Sequence, residues 1–357
     1  PSLEFHHRFS APVQRWWPAP GGAAYVAALA EHDRHHAMLT FAEGNATLKV
    51  SNLGFLHYAL VTVGTPGQTF MVALDTGSDL FWLPCQCDSC TPSASFYNPG
   101  MSSTSKVIPC SSNFCQKECS TTSQCPYKMV YVSAGTSSSG FLVEDVLYLS
   151  TENHILKAQI MLGCGQTQTG SFLDAAAPNG LFGLGIDKAS VPSILAQKGL
   201  IPNSFSMCFG RDGIGRINFG DQGSSDQQET PLDINPTYTI SITGIAIENK
   251  TDLEFSTIFD TGTSFTYLAD PAYTYITQTF HAQVQANRDS RIPFEYCYDL
   301  SSGEARIPTP DIILRTVSGS LFPVIDPGQV ISIQEHEYVY CLAIVKSMKL
   351  NIIGRKF

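Results

Sequence analysis

The sequence carries the triplet Asp-Thr-Gly twice, at residues 75–77 and 260–262, each time directly after an apolar run typical of a β-strand. The two copies lie 185 positions apart (260 − 75), which predicts one loop built twice in a chain of two similar halves. If two such loops face each other, their carboxylates share one site and cannot both ionise easily, so one keeps its proton. The pattern therefore predicts paired acid and base chemistry by Asp75 and Asp260.

The residues that follow the two triplets also match each other. A hydroxyl residue comes next, Ser78 in the first copy and Thr263 in the second, and an apolar run then resumes at 80–83 and 265–268. Each half later contains two apolar residues followed by glycine, at 181–183 and 352–354. A single Asp-Thr-Gly is also a common turn, because Asp bonds to nearby backbone and Gly tolerates positive φ. The matched pair favours a functional site over two unrelated turns.

Length and composition set the broad class of the protein. A chain of 357 residues with 43% hydrophobic content can bury a core in each of two domains. The formal net charge of −10 disfavours binding to nucleic acid or anionic membranes. From residue 56 onward, short strand-like runs are split by Gly, Pro, Ser and Asn, and helical stretches are predicted only at 190–198 and 270–282. These patterns predict a mostly β protein.

Cysteine usage indicates an oxidising compartment. Of the eleven cysteines, seven lie between Cys85 and Cys125. Zinc binding is the alternative for Cys85, Cys87 and Cys90, but the 85–125 segment contains no histidine, which favours disulfides. Glycosylation sequons begin at Asn45 and Asn249, and they agree with a secreted glycoprotein.

The chain divides by composition into three parts. Residues 1–52 hold five of the nine histidines and no cysteine, and a helix is predicted within them at 23–39. Residues 53–225 and 226–357 each contain one Asp-Thr-Gly loop. The polar stretch 223–228 is the predicted passage between these two lobes.

At this point the sequence resembles the pepsin-like aspartic proteases, and more closely the plant nepenthesin-like branch. The resemblance runs from about His57 to Gly354, and residues 58–66 look like the first strand and turn of the family. Asp75 and Asp260 match the two catalytic aspartates, Trp82 the tryptophan that supports the flap, and Tyr131 the flap tyrosine. The resemblance implies a bilobal fold of two β-barrel-like lobes with the active site in the cleft between them.

The resemblance also implies a role for each site residue. Thr76 and Thr261 would link the two loops, and Ser78 and Thr263 would support the outer carboxylate oxygens. Substrate-binding residues are then expected at Gly77, Trp82, Tyr131, Ser133 and Gly262. Cys297 with Cys341 is the disulfide pair that the resemblance favours most, and Cys164 with Cys208 is a second candidate. No cofactor and no metal are expected. For Tyr131 and Trp82 taken alone, an ordinary strand tyrosine and a core tryptophan are the alternatives.

The implied activity is hydrolysis of a polypeptide substrate at acid pH by a monomer. Residues 1–52 would act as an inhibitory propeptide, the alternative being a disordered leader. The expected location is the secretory pathway, ending at the apoplast, the vacuole or an anchor at the cell surface. The sequence ends three residues after Gly354, where the family continues, so a truncated C-terminal lobe is expected. A non-catalytic protease-like binding or inhibitor protein, or an enzyme inactivated by truncation, is therefore the alternative function. A glycosidase with paired carboxylates would not explain two Asp-Thr-Gly loops.

Overall fold

The computed structural model describes most of the chain beyond residue 55 and one short segment near the start. The described residues are 2–7, 56–91, 95–113, 115, 119, 123–131, 135–150, 155–173, 177–209, 214–233, 237–247, 249–284, 286–289, 294–300, 309–325, 327–334 and 337–355. The chain forms two compact units, and the boundary between them lies between Ser224 and Ser225. The helix predicted at 23–39 lies outside the described residues.

The first unit is built on one large sheet. Its strands are β1 (Ser2–His7), β2 (His57–Val63), β3 (Gln68–Asp75), β4 (Trp82–Ser89), β5 (Lys106–Val107), β6 (Pro126–Val130), β7 (Ser137–Ser150), β8 (Ile155–Thr169), β9 (Leu181–Gly183), β10 (Phe205–Phe209) and β11 (Ile214–Phe219). They are ordered β10-β11-β1-β2-β3-β9-β4-β8-β7-β5, with β6 paired to β7. The described part of this unit also contains the helix α1 (Val191–Gln197), which begins after the cap Ser190, whose hydroxyl accepts from the Ser193 N–H.

The pattern of apolar residues explains which strands lie inside this unit. Strand β3 is buried from Phe70 to its end, because it pairs with β2 on one side and β9 on the other. The long hairpin of β7 and β8 alternates buried and more exposed positions, which is typical of a sheet with one face on the core. The core beneath contains Phe81, Leu83 and Phe182. The sheet therefore holds the end of β3, where Asp75 stands, in a rigid setting.

In its described residues, the second unit contains two sheets and one α-helix. Its strands are β12 (Thr239–Ile247), β13 (Asn249–Thr251), β14 (Phe255–Phe259), β15 (Thr266–Leu268), β16 (Cys297–Asp299), β17 (Ile312–Thr316), β18 (Leu321–Val324), β19 (Gly328–Gln334), β20 (Glu337–Leu342), β21 (Ile344–Lys346) and β22 (Ile352–Ile353). The larger sheet is ordered β18-β17-β12-β14-β22-β15-β21, with β13 paired to β12, and the smaller β16-β20-β19. Helix α2 (Ala272–Gln283) buries Ile276 and Phe280 in the core of this unit.

The prediction of a mostly β chain with two sheet-rich lobes is confirmed. The helices predicted at 190–198 and 270–282 correspond to α1 and α2. Among the described residues, neither helix has the length and apolar character needed to cross a lipid bilayer.

The start of the chain is part of the first sheet. Strand β1 lies between β11 and β2, with Phe5 opposite Gly215 on one side and Ala59 on the other. The Phe5 side chain is fully buried and its ring contacts those of His57 and Phe209. Residues 2–7 of the predicted propeptide-like segment are therefore an ordered strand, whereas residues 8–52 of that segment lie outside the described chain.

All eleven cysteines are described, and ten of them form five disulfides. The pairs are Cys85–Cys164, Cys87–Cys90, Cys110–Cys119, Cys115–Cys125 and Cys297–Cys341. The candidate pair of Cys164 and Cys208 was wrong. Strand β8 runs parallel to β4 with Cys164 opposite Leu83, so Cys85 is the nearest partner at a Cα–Cα distance of 5.0 Å. Cys208 lies on β10 as an exposed free thiol.

Candidate active site

The first Asp-Thr-Gly loop begins where β3 ends. Strands β3 and β9 are parallel, and Asp75 is opposite Gly183. Two backbone hydrogen bonds then join the loop to the segment after β9, from Leu184 N–H to the Asp75 carbonyl (2.8 Å) and from Gly185 N–H to the Ser78 carbonyl (2.9 Å). A Cβ on Gly183 would overlap the carbonyl group of Asp79. Glycine after the apolar pair is therefore needed for the loop to pass over β9.

The second loop repeats this construction in the second unit. Strands β14 and β22 are parallel, with Phe259 opposite Ile353. Asp260 N–H donates to the Ile353 carbonyl (3.0 Å), and Arg355 N–H donates to the Thr263 carbonyl (3.0 Å). A Cβ on Gly354 would overlap the Phe265 carbonyl. Gly354 thus has the same steric role here as Gly183 has in the first unit.

Both carboxylates receive the same pair of local hydrogen bonds. The Gly77 N–H donates to Asp75 Oδ1 (2.9 Å), and the Gly262 N–H donates to Asp260 Oδ1 (2.7 Å). The hydroxyl of Ser78 donates to Asp75 Oδ2, and that of Thr263 donates to Asp260 Oδ2 (2.5 Å). Each carboxylate therefore receives a backbone hydrogen bond on one oxygen and a hydroxyl hydrogen bond on the other, from residues two and three positions further along the chain, which orient it.

The two loops differ in the solvent exposure of their residues. Asp75, Thr76 and Thr263 are buried, while Asp260 and Thr261 are half-buried. The link between Thr76 and Thr261, like the meeting of the two carboxylates, would join different units and stays a prediction.

An aromatic group stands beside the first loop. Trp82, the first residue of β4, is fully buried, and its Nε1 donates to the hydroxyl oxygen of Tyr131 (2.8 Å). Tyr131 follows β6 at the start of the hairpin to β7, where its N–H donates to the Thr136 carbonyl (3.0 Å). Phe172 contacts both rings, with centroids 4.9 Å from Trp82 and 5.0 Å from Tyr131. Ser133 lies outside the described residues.

The electrostatic setting keeps the Tyr131 hydroxyl protonated. Burial is the main cause that raises the pKa of Tyr131 well above its usual value, and the nearby Asp75 carboxylate raises it further. Hydrogen bonds with Trp82 and Ser78 act in the opposite direction but are weaker. Tyr131 is thus a neutral hydrogen-bonding group beside Asp75 and Ser78 at any pH at which a pair of carboxyl groups would work.

Sequence reasoning missed two residues that help to build this part of the first unit. Phe172 carries no motif, because it lies in a short 3₁₀ turn at Gly170–Phe172. Asp79 follows Ser78, and its Oδ1 accepts from the Asp187 N–H (2.9 Å). Burial raises the pKa of Asp79; the hydrogen bond from the Asp187 N–H partly opposes this, and the charge of Asp187 adds a smaller increase. The Asp79 side chain therefore ties the Asp-Thr-Gly loop to the segment after β9, and only its place next to the motif could have signalled this.

Comparison with known proteins defines the family. Residues 57–221 match the family model described as "Xylanase inhibitor N-terminal", and residues 237–356 match "Xylanase inhibitor C-terminal". Relatives named as aspartic proteases also match most of the chain. The protein therefore belongs to the pepsin-like aspartic protease family.

The relatives are plant proteins. The chain is 49% identical to Aspartyl protease family protein 1 of Arabidopsis thaliana, covering 99% of this chain and 77% of the relative. It is 40% identical to Aspartic proteinase-like protein 1 of the same plant, covering 88% of this chain and 66% of the relative. Aspartic proteinase nepenthesin-2 of Nepenthes gracilis is 29% identical over 82% of this chain and 70% of the relative.

Solved structures support the fold. Basic 7S globulin from soybean superposes with a TM-score of 0.66 at 22% identity, covering 84% of this chain and 85% of the other. Conglutin gamma, a basic 7S globulin from lupine seeds, gives 0.65 at 20% identity, covering 84% and 86%. At these identities the likeness concerns the fold alone. The five disulfides and the nepenthesin relative together favour the secretory pathway.

Proposed function

We propose that this chain is an aspartic endopeptidase, which hydrolyses polypeptides at acid pH with a water activated by Asp75 and Asp260. The observation that carries the proposal is the repetition of one carboxylate environment in both units. Each aspartate follows a strand, receives a glycine N–H on one oxygen and a hydroxyl on the other, and stands beside a glycine that the loop requires. Two such loops are the halves that a shared acid–base site needs.

The proposed mechanism has no covalent intermediate. A water between the two carboxyl groups loses a proton to the ionised one, while its oxygen attacks the carbonyl carbon of the scissile bond. The protonated carboxyl donates a hydrogen bond to the carbonyl oxygen and later helps to protonate the leaving nitrogen. The pair titrates as one coupled system, so acid and base are assigned to the pair and not to one residue. Gly77 and Gly262 leave space for the substrate backbone to approach.

The hairpin between β6 and β7 is proposed to cover the substrate. Tyr131 stands at its base, and its hydroxyl is held by Trp82 beside the Asp75 loop. Because this hydroxyl stays neutral, it can bind substrate backbone without changing the charge of the carboxyl pair. Ser133 is proposed to contact substrate from the same hairpin.

The test is cleavage of a denatured protein between about pH 3 and pH 7, a range that includes the higher of the two pKa values known for such a carboxyl pair, about 4.7 in pepsin. We expect acid-dependent cleavage that pepstatin blocks and that is absent from Asp75→Asn and Asp260→Asn variants. Asn keeps the shape and the acceptor oxygen, so both variants should fold, which circular dichroism checks. Equal cleavage by either variant would contradict the proposal.

The family matches favour one alternative, a non-catalytic binding or inhibitor protein. Both matching family models are described as xylanase inhibitor halves. Inhibition of a xylanase by the intact chain, undiminished in the Asp75→Asn variant, together with no peptide cleavage, would support it. An enzyme inactivated by a missing segment would show neither activity, and a longer form of the chain would then regain cleavage.

We propose further that the enzyme is a secreted, glycosylated monomer made as a zymogen. Its destination would be the apoplast, the vacuole or the cell surface, and residues 1–52 would restrain it before activation. The buried contacts of strand β1 support a role for the start of that segment within the first unit. Intact mass before and after acid treatment would test this, since activation should remove the segment, and another part of the chain would then have to take the place of β1 between β11 and β2.

A further inference from the structure

A groove of about 340 Å³ crosses the first unit at a distance in sequence from both Asp-Thr-Gly loops. It is lined by residues of β5 and the segment after it, by residues of α1 and its flanks, and by Glu144 of β7 and Met161 of β8. Gln197 Nε2 on α1 donates to the Lys188 carbonyl (3.4 Å), which joins the helix to the loop before it. The groove is therefore lined by both strand and helix residues.

The floor of the groove is aliphatic. Ile108 and Ile194 are buried, and Met161 is half-buried, lying opposite Glu144 in the β7–β8 register. Val107 adds an exposed apolar side chain at the edge of the floor. An aliphatic ligand would remove this surface from water, which favours binding in proportion to the area covered.

The rim of the groove is cationic, although the whole chain carries a formal charge of −10. Three lysines line it, Lys106, Lys188 and Lys198, against the single carboxylate of Glu144, which leaves an excess of two positive charges (3 − 1). Oε1 of Glu144 lies 3.9 Å from Nζ of Lys198. Within the part of the chain that the structure describes, the ammonium groups of Lys106 and Lys188 have no ion-pair partner.

We propose that this groove binds a small amphipathic carboxylate, with an aliphatic chain on the floor and its carboxylate at Lys106 and Lys188. The volume is at the lower end of the range of about 300–1,000 Å³ that small-molecule pockets span, so it suits a small molecule and not a folded partner. An aliphatic floor with unpaired cations at its edge is complementary to a molecule with an apolar body and one anionic end. This site is independent of the proposed peptidase activity.

Met161 provides a direct probe of the floor. In protein labelled with ¹³C at the methionine methyl groups, we expect octanoate at pH 7 to shift the Met161 signal saturably, and the exposed Met101 and Met348 to stay unchanged. The Met161→Leu variant assigns the signal. Acetate, which has the charge alone, and 1-octanol, which has the chain alone, should each bind at least about fivefold more weakly than octanoate.

Lysine variants distinguish binding of octanoate in the groove from its nonspecific attraction to exposed lysines. Lys188→Gln and Lys106→Gln should each weaken octanoate binding about threefold to tenfold. Added salt should weaken octanoate binding to the wild-type protein, and should weaken it less in a variant that carries both substitutions. The matched control is Lys157→Gln. Lys157 is an exposed lysine of β8, and its ammonium group lies over the Tyr148 ring, outside the groove. Equal weakening by Lys157→Gln, equal binding of 1-octanol, or an unmoved Met161 signal would each overturn the proposal.

Discussion

Replacing Gly183 by alanine should disrupt the first Asp-Thr-Gly loop without touching a catalytic group. The added Cβ would overlap the carbonyl of Asp79 and would lie 2.7 Å from the Leu80 nitrogen. These are backbone atoms, so no side chain can rotate away, and β9 must separate from the loop. We expect the loss of the two hydrogen bonds from Leu184 and Gly185, at about 1 kcal/mol each, with overpacking of about 1–3 kcal/mol. The free energy of unfolding should therefore fall by about 3–5 kcal/mol.

Urea denaturation followed by fluorescence measures this change, because the midpoint falls with stability at constant slope. The matched control is Gly100→Ala, where the added Cβ would meet only the Asn98 side chain, at 3.3 Å, and the expected change is within about 0.5 kcal/mol. Gly354→Ala should behave as Gly183→Ala does, because its Cβ would overlap the Phe265 carbonyl. A Gly183→Ala protein within about 1 kcal/mol of wild type would refute the steric reasoning.

Three further predictions concern other residues of the first unit. Tyr131→Phe removes the oxygen that accepts from Trp82, so kcat/KM for peptide hydrolysis should fall about fivefold. The pH range of the activity should not change, because burial holds the pKa of Tyr131 far above that range. Replacing Cys85 and Cys164 by alanine should lower the free energy of unfolding by about 4–5 kcal/mol, since this disulfide closes a sequence separation of 79. Asp79→Asn should stabilise the protein at pH 7 relative to wild type but not at pH 3, as urea denaturation at both pH values would measure.

The sign of the Asp79 prediction follows from proton linkage. Because burial raises the pKa of Asp79 in the folded chain, the folded state holds this proton more tightly than the unfolded state does. The stability from the protonated group is complete below the unfolded pKa and is lost as the pH rises through the folded pKa. Asparagine keeps an oxygen for the Asp187 N–H and never ionises. If Asp79→Asn stabilised the protein equally at pH 7 and at pH 3, this account would be contradicted.

Controls for the other two predictions are available in the same unit. Removal of the Cys87–Cys90 disulfide should cost only about 2 kcal/mol, because its sequence separation is 3. If both disulfides cost the same, loop entropy is not the cause. For Tyr131→Phe, a shifted pH profile would mean that the hydroxyl titrates within the working range, against the effect of its burial.

Sequence reasoning succeeded where the contacts are local. The N–H of Gly77 and the hydroxyl of Ser78 reach Asp75 from two and three positions away, so the motif contains its own hydrogen-bond partners. The strands around the motif were predictable for a similar reason, since alternation of apolar residues is also a local signal. The same applies to the second loop.

The partners that sequence reasoning missed are distant along the chain. Cys164 pairs with Cys85 because β4 and β8 are neighbouring strands. The spacing of the cysteines along the sequence does not reveal which strands are neighbours. Phe172 reaches Trp82 and Tyr131 from a turn with no pattern of its own. The lysine-rimmed groove likewise depends on residues of α1 and β5 lining the same space, which only the folded chain determines.

The energetics of the two loops bear on the choice between enzyme and binding protein. A buried carboxylate such as Asp75 costs free energy unless hydrogen bonds compensate for its lost hydration. The chain supplies donors to both oxygens of Asp75 and of Asp260, and it places a steric requirement for glycine beside each loop. A surface that only binds a partner could use asparagine or serine at these positions and avoid the cost of burying charge. Two carboxylates, each supported within its own unit, therefore favour the proposed chemistry, and the Asp75→Asn comparison measures whether that cost is matched by catalysis.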